Sequence, residues 1–480
     1  MAWPHRLRRI KTGPMDYIST RGAAPTLAFD AVVLAGLARD GGLYLPKLWP
    51  KIDPQTWRRW RGLSYAELGA EVMQAFVGDS LSRDTLDAVW QTAVGRFRHP
   101  AIAPLAQLDH NLFLLELVHG PTLAFKDYAL QVLGGLFDHI LAARGTRLTI
   151  VGATSGDTGS AAIEACRDRD AVDIFMLFPA GRVSEVQQRL MTTVPSANVH
   201  CLAIDGSFDD CQDLVKALFN DLSLRDALQL SAVNSINWAR ILAQSVYTIW
   251  AGLHLGAPER ALRVAVPTGN FGNAFSVFVA QQLGLNVAEI GIASNANDIL
   301  TRYFSAADMS LRTVVPTLSP SMDIQVSSNF ERYLFTCLDG DAEALAALMQ
   351  DFRASGRLDL PQGVWQRSSQ GMRGFSLDDA GTLAAMKDWY LRSGQLLDPH
   401  TAIGVAQAAL WPRDLPNLAL ATAHPAKFPD AVLEATGAAA PLPPFLADLM
   451  QRPERFTPLP NDYAELKAHI RKHARLGKAA

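Results

Sequence analysis

Residues 151–162 read VGATSGDTGSAA, in which an apolar run passes through glycines and small polar residues into a helical pattern. The glycines allow the backbone to turn sharply or to approach a ligand closely. Free N–H groups at the start of a helix attract anions. The segment therefore predicts a strand, an anion-binding loop and a helix. The residues that crowd the helix start are Thr154, Ser155, Asp157 and Thr158.

A simpler interpretation of this loop is a capped helix start, with Asp157 or Ser160 as the cap. The loop is not a P-loop, because no Gly-Lys-Ser/Thr closes it, and it does not contain the dinucleotide-binding pattern Gly-x-Gly-x-x-Gly. Taken alone, it predicts either a carboxylate- or phosphate-binding loop or a cap without a ligand.

Short apolar runs alternate with amphipathic stretches on both sides of this loop. The apolar runs are RLTIV (147–151), DIFMLF (173–178), RVAV (263–266), EIGIA (289–293) and NLALATA (417–423). The amphipathic stretches are residues 158–169, 208–220, 237–253 and 273–284. Apolar runs this short are typical of strands buried on both faces. Their alternation with helices predicts an α/β fold with mostly parallel sheets and right-handed crossovers.

Patterns along the chain predict four regions, two of which are open parallel-sheet α/β domains. The first region is mainly helical, with helical patterns at residues 29–39, 64–77 and 83–98, and residues 1–14 are expected to be a disordered extension. The last region ends in a basic, helix-prone segment that predicts a tail helix. The expected regions are an N-terminal module (1–100), a smaller α/β domain (101–235), a larger α/β domain (236–440) and the tail (441–480).

Composition argues against several classes of function. The formal net charge of −3 does not indicate binding to nucleic acid or to an acidic membrane surface. The cysteines, at positions 166, 201, 211 and 337, lack paired spacing, so we expect neither a disulfide framework nor a metal site. No apolar run approaches the length of a membrane span, and because no apolar run follows the basic residues near the start, we expect no secretory signal. We expect a cytoplasmic monomer or homodimer whose partner is a small molecule.

A second strand end carries candidate ligand groups in VAVPTGNFGNAF (264–275). A strand again leads through glycines into a helix, and Asn270 and Asn273 can donate hydrogen bonds from their side-chain amides. Such a loop suits a phosphate dianion held without a lysine. A plain strand–turn–helix connection is the alternative.

A third strand end lies in LATAHPAKFPDA (420–431), where Thr422 ends the strand and Lys427 follows. We interpret His424, which precedes a proline, as a turn residue rather than a general base. Because ligands bind beyond the carboxyl ends of strands in open α/β sheets, all three loops are expected in one site.

The segment GPTLAFKDYAL (120–130) places Lys126 after a small apolar run, in a chain with only ten lysines. This residue is either a solvated helix lysine or a desolvated amine that acts as a nucleophile. Such an amine forms an imine with an aldehyde, and pyridoxal phosphate carries an aldehyde, a phosphate and a pyridine nitrogen. Lys126, the 269–273 loop and the Thr422 hydroxyl match these three groups, so pyridoxal phosphate is the predicted cofactor.

Longer motifs in the chain resemble the threonine synthases of the longer bacterial and fungal branch. They follow one another in the family's order from Met15 onward and include YISTRGAAPTLAFDAVVLAGLARDGGLYLP (17–46). The others are HGPTLAFKDYALQ (119–131), GATSGDTGSAA (152–162), NSINWARILAQ (234–244), VPTGNFGNAF (266–275), MDIQVSSNFERYLF (322–335) and ATAHPAKFP (421–429).

The resemblance implies a fold type II pyridoxal-phosphate enzyme, similar to tryptophan synthase β, with its site between two α/β domains. It implies Lys126 as the Schiff-base lysine and Thr422 as the hydroxyl partner of the pyridine nitrogen. The 154–158 loop matches the segment that receives the substrate carboxylate. The implied phosphate cup is Gly269, Asn270, Phe271, Gly272 and Asn273, and the motifs near the substrate end hold Asn237, Arg240 and Lys427.

The resemblance also implies that O-phospho-L-homoserine and water become L-threonine and inorganic phosphate, the last step of threonine biosynthesis. We expect Lys126 to carry most proton transfers and Arg240 to bind the departing phosphate, because a planar guanidinium binds phosphate in bidentate fashion. A helix arginine paired with a carboxylate is the alternative for Arg240. Two other functions stay open, a phospho-lyase that releases 2-oxobutyrate and ammonia, and a non-catalytic paralogue.

Overall fold

The computed structural model describes residues 15–475, so the expected extension at residues 1–14 lies outside the described part of the chain. The N-terminal part is mainly helical, as predicted, and α3 begins at a capping box between Ser64 and Glu67. Its two short strands pair antiparallel, which no sequence pattern indicated. The elements are β1 (Tyr17–Ser19), α1 (Phe29–Ala35), β2 (Tyr44–Pro46), α2 (Pro54–Trp60), α3 (Tyr65–Val77) and α4 (Arg83–Val94).

Strands and helices alternate through the rest of the chain. The elements before residue 260 are β3 (Leu105–Asp109), β4 (Leu112–Glu116), α5 (Lys126–Arg144), β5 (Leu148–Ala153), α6 (Asp157–Cys166), β6 (Val172–Pro179), α7 (Glu185–Thr192), β7 (Val199–Asp205), α8 (Phe208–Asn220), α9 (Leu222–Leu228), β8 (Leu230–Ser231) and α10 (Trp238–His254). Those after it are β9 (Leu262–Pro267), α11 (Gly272–Leu283), β10 (Val287–Ser294), α12 (Ile299–Ala306), α13 (Phe330–Cys337), α14 (Ala342–Ser355), α15 (Val364–Ser369), β11 (Met372–Ser376), α16 (Asp379–Ser393), α17 (Pro399–Ala409), β12 (Asn417–Ala421), α18 (Pro429–Thr436), β13 (Thr457–Pro460) and α19 (Tyr463–His473).

A six-stranded sheet has the order β11-β10-β9-β12-β4-β3, and every neighbouring pair is parallel except β3 with β4. Since β9 and β12 are parallel neighbours, their carboxyl ends meet at the same edge of the sheet. The chain that leaves β9 there is the 268–271 segment, and the residue that follows β12 is Thr422.

A five-stranded, fully parallel sheet has the order β13-β7-β6-β5-β8. Each of the eight residues of β6 is buried, as expected of a strand covered on both faces. Strand β5 leads directly into the loop before α6. The predicted α/β class and the five predicted strands are therefore confirmed. No helix within residues 15–475 has the length and hydropathy needed to cross a membrane.

The predicted division of the chain does not follow the sheets. Strands β3 and β4, expected in the smaller domain, belong to the six-stranded sheet, because β4 pairs with β12 and places Leu112 opposite Asn417. The expected tail contributes β13 to the five-stranded sheet in addition to the predicted helix, α19. Pairing between segments this far apart leaves no local signal. The two prolines of β13, Pro458 and Pro460, are tolerated because the strand lies at a sheet edge.

Candidate active site

Lys126 is the first residue of α5, and only 7% of it is exposed. The chain before it runs along the segment that follows β12. The N–H of Phe125 donates to the Thr422 carbonyl at 3.0 Å, and the N–H of His424 donates to the Leu123 carbonyl at 3.0 Å. These bonds fix the start of α5 beside the strand end that carries Thr422. Lys126 is therefore not a solvated helix lysine.

Burial is the main reason that the neutral form of Lys126 is favoured. Burial lowers the pKa of Lys126, and the positive charges of Lys427 and Arg240 lower it further. Asp157 opposes them, because its Oδ2 lies 3.3 Å from the Lys126 Nζ. Since the net shift of the pKa is downward, the neutral amine, which is the nucleophilic form, is more populated than in an exposed lysine.

Asp157 is buried and bridges two lysines. Its Oδ1 lies 2.6 Å from the Lys427 Nζ and accepts a hydrogen bond from the Gln187 amide at 2.9 Å. Burial alone would raise the pKa of Asp157, but Lys427 and Lys126 hold it well below its usual range. The Lys427 ammonium is fully buried and also donates to the Thr122 carbonyl at 2.8 Å. The site therefore contains an ionised carboxylate with both oxygens engaged, and no sequence pattern indicated the contribution of Gln187.

The loop before α6 leaves main-chain donors unused. The Thr154 hydroxyl accepts from the N–H groups of Gly156 at 2.9 Å and Gly159 at 2.8 Å, which holds the loop in a tight turn. Neither Asp157 nor Ser160 caps α6, so the two cap residues expected in the simpler interpretation are wrong, and the side chain that accepts from the helix start is that of Thr154. The main-chain N–H groups that donate to no other described residue are those of Ser155, Asp157 and Thr158.

Residues 269–273, which we call the cup loop, comprise most of the turn after β9 and the first two residues of α11. Phe271 takes the left-handed conformation, with φ +60°, and its ring is buried in an aromatic cluster. A Cβ atom at position 269 would lie 2.5 Å from the Ser321 carbonyl oxygen, so only glycine fits there. Within residues 15–475, no N–H group of the cup loop finds an acceptor. The loop thus presents unused donors at a helix N-terminus, as a bound phosphate requires.

Among the buried side-chain atoms that have no hydrogen-bond partner in the described part of the chain, three belong to predicted site residues: Thr422 Oγ1, Asn273 Nδ2 and Arg240 Nε. Such atoms are rare in native structures unless a ligand or water completes them. The Asn273 Oδ1 accepts from the Tyr247 hydroxyl at 2.5 Å, which fixes the amide and leaves its donor open. A free hydroxyl, a free amide donor and a desolvated lysine fit the ring nitrogen, the phosphate and the aldehyde of pyridoxal phosphate.

Residues that no sequence pattern indicated support the cup loop from behind. Asp398 caps α17 and accepts at 2.9 Å from the His400 Nδ1. The His400 Nε2 in turn accepts from the Ser321 N–H at 3.2 Å, and the Ser321 carbonyl is the group that faces Gly269. The sequence Asp398-Pro399 is a recognisable helix start. No local sequence pattern predicts that His400, the residue after Pro399, contacts Ser321.

Arg240 is buried in α10, and no carboxylate among residues 15–475 pairs with it. Its Nη1 donates to the Val233 carbonyl at 3.0 Å, and burial lowers the pKa of Arg240 to about 10, which still leaves the side chain charged at neutral pH. The alternative of a paired helix arginine therefore does not apply within the described residues. A buried, unpaired guanidinium is suited to an anionic ligand.

The hydrogen bonds of Asn237 in the structure are made within the protein. Asn237 is fully buried, accepts from the Ala239 N–H at 3.1 Å to cap α10, and donates to the Val33 carbonyl at 2.9 Å. Because both ends of the amide are engaged within the protein, this geometry does not support the expectation that Asn237 binds substrate.

Family models match almost the whole chain. A model described as threonine synthase N terminus matches residues 16–94, one described as pyridoxal-phosphate dependent enzyme matches residues 86–418, and one described as threonine synthase, C-terminal, matches residues 401–470. Lys126 and the cup loop lie in the second match, and Thr422 lies in the third.

Known proteins resemble the chain over nearly its full length. Threonine synthase from Pseudomonas aeruginosa is 50% identical over 97% of this chain and 100% of that protein, and the one from Schizosaccharomyces pombe is 41% identical over 87% and 88%. A crystal structure of threonine synthase from Brucella melitensis with bound pyridoxal phosphate is 50% identical and superposes with a TM-score of 0.93, covering 96% of this chain and 100% of that one. The chain therefore belongs to the threonine synthase family, whose members are pyridoxal-phosphate-dependent lyases of fold type II, as the sequence motifs predicted.

Proposed function

We propose that this chain converts O-phospho-L-homoserine and water into L-threonine and inorganic phosphate. Membership of the threonine synthase family supports this reaction. The observation that carries it is a buried amine, Lys126, in a site with two helix N-termini whose N–H groups are unused. A substrate with a carboxylate and a phosphate, together with a phosphorylated cofactor, needs several such anion-binding groups.

The cofactor is held, in this proposal, by residues from three elements. Lys126 would bond to the aldehyde carbon, the Thr422 hydroxyl would meet the ring nitrogen, and the cup loop would hold the phosphate. Phe271 contributes only its main-chain N–H, because its ring is buried in the aromatic cluster. When bound, pyridoxal phosphate supplies an electron sink that makes protons on the substrate carbons acidic.

The loop before α6 receives the substrate carboxylate through its main-chain N–H groups. The Asp157 side chain takes no part in that contact, since it is a carboxylate itself and is bound to two lysines. Lys427 acts indirectly, by keeping Asp157 ionised beside Lys126. Arg240 binds the substrate phosphate as negative charge develops on the leaving group.

Lys126 moves the protons. Its amine takes a proton from Cα, gives that proton up and then takes one from Cβ, after which the Cγ–O bond breaks and phosphate leaves with the ester oxygen. A proton delivered to Cγ completes the methyl group, and a water molecule supplies the hydroxyl at Cβ, with its remaining proton going to the phosphate. A proton returned to Cα completes L-threonine. The ionised Asp157, 3.3 Å from the Lys126 Nζ, stabilises the ammonium that forms each time the amine takes up a proton.

Replacing Gly269 by alanine tests the cup loop. The new Cβ would lie 2.5 Å from the Ser321 carbonyl oxygen, so the loop has to shift. Overpacking of this kind costs about 1–3 kcal/mol, and we expect the cofactor dissociation constant to rise about 5- to 150-fold. Equilibrium dialysis of the cofactor measures this change. The control is Gly62→Ala, where a Cβ meets nothing within 4 Å; equal cofactor affinity in the two variants would remove the cup loop from the proposal.

Product analysis after incubation of the holoenzyme with O-phospho-L-homoserine tests the reaction itself. We expect threonine and phosphate in equal amounts. Phosphate with 2-oxobutyrate and ammonia would instead make the protein a phospho-lyase. No phosphate from an enzyme that binds its cofactor would contradict the proposed substrate and favour a non-catalytic paralogue.

We also propose that the enzyme works in the cytoplasm on a small-molecule substrate, as a monomer or a homodimer. The cysteines support a reducing compartment, because each of them is free and three are buried. The predicted absence of nucleic-acid and membrane partners stays a prediction that rests on the small net charge.

A further inference from the structure

Arg332, in the first turn of α13, is the second buried arginine near the site, and none of it is exposed. Its three guanidinium nitrogens bind oxygens from three separate segments. Nε donates to the Tyr44 carbonyl at 2.9 Å, Nη1 to the Asn329 Oδ1 at 2.5 Å and Nη2 to the Ile236 carbonyl at 2.5 Å. Arg332 therefore joins the end of the β1–β2 pair, the segment before α10 and the residue that precedes α13.

No carboxylate within the described residues forms a salt bridge with Arg332, and the charge of Glu331 offsets only part of the effect of burial on the pKa of Arg332. The adjacent Glu331 is engaged elsewhere, since it pairs with Arg21 at 2.9 Å and accepts from the Thr20 hydroxyl at 2.6 Å. Burial lowers the pKa of Arg332 to about 9, so the group stays cationic at neutral pH. A buried cation bound only to neutral oxygens is costly unless an anion lies nearby.

Asn329, which Arg332 holds, lies directly behind the cup loop. Its N–H and its side-chain Nδ2 both donate to the Asn270 carbonyl, at 3.1 and 3.2 Å. The Ser327 hydroxyl binds the Gly269 carbonyl at 2.9 Å in the same way. In a trans peptide unit the C=O and the following N–H point in opposite directions. Anchoring these two carbonyls on one side therefore turns the N–H groups of Asn270 and Phe271 to the other side.

We propose that Arg332 is a positioning residue for the cofactor phosphate. It orients Asn329, which sets the direction of the cup-loop donors, and its charge favours a doubly charged ligand over a neutral one. This inference rests on the proposed assignment of the cup loop to the phosphate. With this assignment, each of the two phosphates in the reaction is served by one buried arginine. Arg240 acts on the substrate phosphate and Arg332 on the cofactor phosphate.

The test compares two ligands that differ only in the phosphate, pyridoxal phosphate and pyridoxal. Their dissociation constants are measured on full-length apoenzyme for the wild type, Arg332→Met and Arg332→Lys. We expect Arg332→Met to lose about 10- to 100-fold in affinity for pyridoxal phosphate, the range for a lost interaction with a charged group, and to change little toward pyridoxal. Arg332→Lys keeps the charge without the planar fork and should recover part of the loss. It is also the variant to use if Arg332→Met does not fold.

The matched control is Glu331→Gln, which weakens the contact with Arg21 and leaves Arg332 in place. It should lower the melting temperature and leave the ratio of the two affinities unchanged. If both Arg332 variants keep the wild-type ratio, or lose both ligands equally, the inference is overturned and Arg332 is only structural. If the wild type itself binds pyridoxal as tightly as pyridoxal phosphate, the cup-loop assignment fails instead.

Discussion

The Lys126→Ala variant is expected to lose both the absorbance of the lysine-bound cofactor and the formation of threonine. The methyl group left at position 126 cannot bond to an aldehyde and cannot carry a proton. Because one residue serves as covalent anchor and as general base, we expect turnover to fall by about 10³-fold or more. Absorbance spectra and a threonine assay on the same preparation measure the two effects together.

The effect at position 126 is expected to be specific. Lys387 lies on α16 and is exposed, so Lys387→Ala provides a lysine control with no expected change. The loops proposed to bind anions are unchanged in Lys126→Ala, so the apoenzyme should still bind pyridoxal phosphate without the covalent bond. Ordinary turnover by Lys126→Ala would refute the assignment of covalent and proton-transfer chemistry to this residue.

Arg240→Leu is expected to impair use of the phosphorylated substrate far more than retention of the cofactor. The guanidinium is buried without a carboxylate partner, so its replacement by an apolar side chain leaves no unpaired charge behind and the fold should persist. Loss of one group that stabilises charge in the transition state typically costs 10²- to 10³-fold, and we expect a fall in kcat/KM of about that size.

Two further variants locate the effect at position 240. Arg240→Lys keeps the charge but not the bidentate geometry, so it should fall between the wild type and Arg240→Leu. Arg392 is largely exposed on α16, and Arg392→Leu should behave as the wild type. Steady-state kinetics and equilibrium dialysis of the cofactor supply the measurements. Equal loss of activity and of cofactor binding in Arg240→Leu would make Arg240 a structural support.

The parts of the site that the sequence could predict are those that sit at strand ends. The loop before α6, the cup loop and Thr422 each follow a strand, and the rule that ligands bind beyond the carboxyl ends of parallel strands predicts them in one site. Lys126 is singled out on a different ground, as an isolated lysine after a small apolar run. In the structure, β12 pairs parallel with β4 and with β9, so the carboxyl ends of these three strands lie on the same side of the sheet. These residues could therefore be named without any knowledge of tertiary contacts.

The parts that could not be predicted depend on long-range contacts. Gln187 reaches Asp157 from α7, and His400 reaches Ser321 from α17, with no local pattern to indicate either contact. Arg332 lies in a motif that the sequence comparison with the family brought out, but its role follows from bonds to Tyr44 and Ile236, which are distant in the chain. Asn237 is the opposite case. Its motif led us to expect it near the substrate, whereas in the structure its side chain caps α10.

The most direct test of the proposed reaction is the product analysis carried out in water labelled with oxygen-18. If the Cγ–O bond breaks and water adds at Cβ, threonine carries the labelled oxygen in its hydroxyl group, and the released phosphate carries none, since it leaves with the ester oxygen of the substrate. Label in the phosphate, with homoserine as the other product, would mean hydrolysis at phosphorus and would contradict the reaction proposed for this site.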